Sequence, residues 1–108
     1  MSRPFIAVIL ILLLASSAAN AIGLGDRDKG HAYVRQFCVE CHAVEKGEMA
    51  EVESEIPSFQ EAADSEGMSQ AALAVWLQSS HPNMPNFIIP PADVDNIIAY
   101  ILSLRTPK

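Results

Sequence analysis

The chain has 108 residues, with seven Lys or Arg against 13 Asp or Glu and a formal net charge of −6. That length allows one domain with a small core. The acidic balance makes nucleic acid and anionic membrane surfaces poor partners and favours a positively charged docking patch on another protein.

Arg3, the unbroken apolar run from Phe5 to Ala15 and the small-x-small triplet Ala19-Asn20-Ala21 read as an export signal, with cleavage expected after Ala21. The run is eleven residues long, whereas a bilayer-crossing helix needs about 20, so no stable membrane insertion is expected once the signal is cut. Residues 1–21 are thus expected to leave and 22–108 to form the domain. Since Arg3 leaves with the signal and every acidic residue stays, the domain is one unit more negative than the whole chain. Two cysteines in an exported chain suggest a disulfide at first. Their spacing argues otherwise.

Asp26 is placed to cap a helix running through Tyr33 to about Val39, with Ala32, Tyr33, Phe37 and Val39 among its apolar positions. Its end carries Cys38-Val39-Glu40-Cys41-His42. From Ala43 to Ile56 the sequence turns to Glu45, Glu48, Glu51, Glu53 and Glu55 around Gly47, which reads as a solvated loop. Pro57-Ser58-Phe59 returns the chain to the core. Ser69 is the expected N-cap of a second helix, with Leu73, Trp76 and Leu77 at the spacing of one buried face. That helix stops before Pro82, and Pro82-Asn83-Met84-Pro85-Asn86 is a loop stiffened by its prolines. Pro90 and Pro91 open the last helix, where the first amides need no intrahelical partner. Val94, Ile97, Ile98, Ile101 and Leu102 mark its apolar stripe. No segment alternates as a strand, so the expected class is all-α with three to five short helices.

Cys-x-x-Cys-His is the signature of c-type haem attachment. Residues at i, i+3 and i+4 of a helix lie side by side, so Cys38, Cys41 and His42 address one haem together, the thiols bonding its vinyl groups and the imidazole its iron. A thioredoxin-like redox pair should sit near a βαβ pattern that is missing, and a zinc site needs two further ligands that His31 and His81 supply only awkwardly.

The run Gly25-Asp26 through Gly30, Tyr33 and Cys38-Val39-Glu40-Cys41-His42-Ala43-Val44-Glu45-Lys46-Gly47 resembles the opening of class I c-type cytochromes. Trp76-Leu77, His81-Pro82-Asn83-Met84-Pro85 and Asp95-Asn96-Ile97-Ile98-Ala99-Tyr100-Ile101 are similar to the short bacterial monohaem members. The likeness spans nearly all of the chain after the signal. It departs in lacking the long loop with the Gly-Pro-x-Leu-x-Gly pattern, for whose proline Pro57 stands in.

The resemblance implies a cytochrome c fold around one covalent haem c, with His42 and Met84 as the iron's axial ligands. A Met/His pair raises the reduction potential, because soft sulfur favours ferrous iron. Pro57 would offer its carbonyl to Nδ1 of His42. Gly30 and Tyr33 would meet Ile97 and Tyr100 where the first and last helices cross. Trp76 and Tyr100 would pack on haem and helix. Blander readings stand beside these: Met84 as core filler, His81 as a rival ligand, His31 as a plain exposed side chain. The implied function is that of a periplasmic carrier of single electrons, a monomer and not an enzyme. Its implied partners are redox proteins with a basic docking patch, such as a periplasmic dehydrogenase, an oxidase or a bc1-type complex. Two other readings are a haem enzyme or gas sensor with a leaving sixth ligand, and a dedicated haem subunit of a dehydrogenase.

Overall fold

The computed structural model describes residues 25–79, 84 and 88–108. The export signal expected over residues 1–21, its cut after Ala21, and the loop residues His81, Pro82, Asn83, Pro85 and Asn86 lie outside the described residues. The described residues form four helices in chain order, α1 (Arg27–Phe37), α2 (Phe59–Asp64), α3 (Gln70–Gln78) and α4 (Pro91–Ser103), and no strand. None of these helices is long and apolar enough to cross a membrane.

The helices start where local chemistry dictates. The Asp26 carboxylate accepts from the amides of Asp28 and Lys29 at 2.9 and 3.0 Å, and these bonds hold its pKa below the usual carboxylate value. Ser69 caps α3 by accepting from the Ala72 amide at 3.1 Å. Pro91 occupies the first turn of α4 behind Pro90. At the other end, α1 stops at Phe37, two residues short of the expected Val39, and the chain passes into a turn at Cys38. The short helix α2 has its own capping box. Ser58 Oγ accepts from the Glu61 amide at 3.1 Å, and Glu61 Oε2 accepts from the Ser58 amide at 2.8 Å.

The long apolar stripe of α4 is the centre of the molecule, and α1, α2 and α3 all pack on it, α1 most extensively. Val94, Ile97, Ile98 and Ile101 are buried with Val34, Val44, Phe59, Ala63, Leu73, Tyr100 and Leu104. Burying this stripe away from water is what holds the short helices together. The crossing of α1 over α4 is close enough to require glycine. A Cβ at Gly30 would sit 1.9 Å from the Asn96 carbonyl oxygen, and one at Gly25 would sit 2.3 Å from the Asn96 nitrogen. Asn96 Oδ1 also accepts from the Asp26 amide at 2.7 Å, tying the start of α1 to α4.

The tail after α4 is clamped. Buried Gln60 donates through Nε2 to the Leu104 carbonyl at 2.6 Å and accepts through Oε1 from the Gly47 amide at 3.0 Å. Asp64 accepts from the amide and hydroxyl of Thr106 at 2.7 and 2.8 Å.

Candidate haem site

Cys38 closes α1, its amide donating to the Val34 carbonyl at 2.9 Å, and the next turn is made by the amides of Cys41 and His42, both donating to the Cys38 carbonyl at 3.2 and 3.0 Å. Cys38, Cys41 and His42 therefore share one turn although α1 has ended. Both cysteines are free thiols, Cys38 half-buried and Cys41 exposed. Burial, with a smaller contribution from Cys41, pushes the Cys38 thiol up to about 11. Among the described residues no three of His, Cys, Asp and Glu gather where a metal ion would be held by them alone.

The orientation of His42 is fixed from behind. Its Nδ1 lies 2.7 Å from the Pro57 carbonyl oxygen, and since a carbonyl only accepts, Nδ1 carries the proton and donates. The Nε2 lone pair is thereby left for a metal. The ring packs at 5.0 Å against the ring of Phe59. Pro57 is in turn set by its neighbours: Ser58 begins α2, and the Phe59 amide donates back to the Ala43 carbonyl at 2.9 Å. One residue further on, the Tyr100 hydroxyl donates to the Val44 carbonyl at 2.6 Å. The three residues from His42 to Val44 are pinned by α2 on one side and α4 on the other.

Met84 is partly buried. Trp76 lies on α3 between buried Leu73 and half-buried Leu77, but its side chain is 53% exposed, so the expected buried face of α3 does not include it. Helical spacing gives the direction of a side chain and not the depth at which it ends. Phe37 and Val39, which flank Cys38, are likewise 50% and 53% exposed. Cys38, Cys41 and His42 as placed suit a haem bonded through sulfur: two free thiols and an imidazole with its far nitrogen free on one turn, with large apolar side chains beside the thiols.

His31 departs from its expected exposure. It is half-buried, stacks on Tyr100 with ring centroids 4.6 Å apart, and its Nε2 lies 2.9 and 3.0 Å from the two carboxylate oxygens of Glu45. Arg35 approaches the same carboxylate at 3.5 Å. Glu45 is thus tied to α1 and only partly exposed, unlike the other glutamates of the loop. Sequence reasoning also passed over Gln60 and α2, although Ser58-x-x-Glu61 is a legible capping box.

Residues 25–101 match the family model described as cytochrome c oxidase, cbb3-type, subunit III. The chain is also 35% identical over 98 residues to cytochrome c-552 of Bradyrhizobium diazoefficiens, an alignment that covers 91% of this chain and 92% of that protein. No solved structure matches at a significant level.

Proposed function

The chain belongs to the c-type cytochromes, in the family described as cytochrome c oxidase, cbb3-type, subunit III, carrying covalent haem c and transferring electrons rather than acting as an enzyme, and from this we propose that it is a periplasmic shuttle with a His/Met-ligated iron. In this reading residues 1–21 are an export signal and 22–108 are the monohaem domain. Cys38 and Cys41 would hold the haem covalently, as thioethers to its two vinyl groups. His42 ligates the iron through Nε2 and Met84 through its sulfur. Trp76 packs against the macrocycle from α3.

When bound, the haem supplies an iron that changes oxidation state by one electron. The chain's own residues set the conditions. Pro57 holds the imidazole in one tautomer and one orientation, and raises its donor strength. Tyr100 and Phe59 keep the following backbone from shifting. A stiffly held ligand set needs little rearrangement on reduction, as suits a carrier. The observation that carries the reading is the His42 Nδ1 bond to the Pro57 carbonyl at 2.7 Å, which leaves Nε2 of the residue on the cysteines' turn with its lone pair for a metal.

The sixth ligand is the point to test. Met84→Ala should give a high-spin or water-ligated iron, a lower potential and rapid carbon monoxide binding, while His81→Ala should leave the low-spin spectrum intact. The reverse pattern assigns the ligand to histidine. Ready carbon monoxide binding by the unmodified ferrous protein makes the iron accessible and favours a ligand-binding role. The family's description as an oxidase subunit favours a second reading, a dedicated haem subunit. Stable co-purification with one membrane oxidase would decide for it.

A further inference from the structure

From Gly47 to Leu104 the chain contains no lysine or arginine. Within that stretch the loop before α2 carries an open groove of about 480 Å³, whose apolar lining is Met49, Ala50, Val52 and Pro57 and whose rim includes Glu51 and Glu55. Val52 is fully exposed at 103% and Met49 is 62% exposed. A valine held out in water beside an exposed methionine is not explained by the core, which closes without either. Nor are these side chains needed by the loop's own bonding, which runs through the Ser54 hydroxyl, the Ala50 amide and Gln60.

The rim decides what fits. Glu48, Glu51, Glu53 and Glu55 are all exposed, and the Glu61 carboxylate at the groove's edge accepts from the amides of Ser58 and Ala50 at 2.8 and 3.3 Å. An apolar side chain can enter this groove only with neighbours that tolerate concentrated negative charge. Lysine and arginine tolerate it best, since their stems cover apolar surface while their heads meet carboxylates. The groove's wall is Pro57, whose carbonyl is one hydrogen bond from the His42 imidazole.

We propose that the groove formed by Met49, Ala50, Val52 and Pro57 is a docking site for a basic partner protein, one that inserts an apolar side chain ringed by lysine or arginine. This rests on the carrier reading and adds the surface at which the carrier meets its partner. Apolar contact in the groove gives the complex its lifetime, and the glutamates give it speed and orientation.

The test uses the haem-loaded protein in its ferrous state with two synthetic probes, the peptide Lys-Lys-Leu-Leu-Lys-Lys and hexalysine, and follows backbone amide shifts by NMR. The leucine peptide should shift residues 49–57, bind more tightly than hexalysine, and weaken as salt rises. Val52→Ser should weaken the leucine peptide by roughly fivefold or more and leave hexalysine nearly unchanged. Because Val52 is fully exposed, that variant should fold, and Met49→Ser provides an independent second. Shifts centred on Phe37, Val39 or Ile88 instead, or equal affinity for the two peptides, would overturn the proposal. Reversible oxidation and reduction of the same samples reports separately on the carrier reading. Normal cycling with the peptide mapping elsewhere removes the groove alone, whereas failure to cycle removes the carrier reading and the groove's redox purpose with it.

Discussion

Tyr100 reaches across from α4 to the backbone two residues beyond His42, and its hydroxyl is the donor for the Val44 carbonyl. The side chain is only 5% exposed and stacks on His31. Tyr100→Phe would leave a buried carbonyl without its partner, a loss of about 1–3 kcal/mol. A lower urea midpoint with an unchanged slope is the expected result. Burial, followed by the charges of Glu45 and Glu48, pushes the phenol's pKa above its ordinary value of 10.0. A pKa raised on folding means that the stabilisation is complete below 10.0 and is lost as pH climbs through the folded value. The gap between the parent protein and Tyr100→Phe should therefore narrow in urea titrations run above that pH. A gap that stays constant would show that the phenol does not titrate with unfolding.

At the scale of elements, Ser58 links the fold to the site. It is fully buried and caps α2, and the residue before it is the acceptor for His42. Ser58→Ala should cost about 1 kcal/mol through the lost cap. It should also loosen the Pro57 carbonyl, making the imidazole a weaker donor and moving the reduction potential upward. Urea unfolding and a redox titration on the same variant check the two effects, and a stability loss with no change in potential would separate the cap from the ligand. Glu61 adds a pH dependence. The Ser58 amide, chiefly, holds its pKa below the ordinary 4.5, so its contribution is present above that value and disappears as pH falls through the lower, folded pKa.

The caps at Asp26 and Ser69 and the proline start of α4 were legible in the sequence because each depends on residues within three or four positions of itself. The stripe of α4 was legible for the same reason, since thirteen residues are enough to display a period. Six residues are not, and α2 passed unread. His31 was misjudged because its partner Glu45 lies fourteen positions away and its stacking partner Tyr100 lies on another helix. The shared turn of Cys38, Cys41 and His42 follows from their spacing, but the bond that orients His42 crosses fifteen residues. Only the resemblance of the whole chain to a known family pointed to Pro57.

On the scale of the whole molecule the charge is divided as well as negative. The bases of the described residues lie on or near α1 and at the C-terminus, as Arg27, Lys29, Arg35, Lys46, Arg105 and Lys108, and four exposed glutamates, Glu48, Glu51, Glu53 and Glu55, gather in the loop before α2. Exposed charges act over about 8 Å at physiological ionic strength, so a reactant arriving from solution meets different fields on different faces. Two small one-electron reagents of opposite charge, a hexaammine cation and a hexacyanide anion, make this measurable. Electron exchange with the cation should slow as salt is added, because screening removes an attraction, and exchange with the anion should quicken, because it removes a repulsion. Replacing Glu51 and Glu53 by glutamine should flatten both slopes if electrons cross near the loop. The same two substitutions would leave the slopes almost untouched if transfer occurs on a face more than a Debye length away. Stopped-flow rates at several salt concentrations distinguish these cases, and a cation rate that rises with salt would contradict the field expected from this distribution of charge.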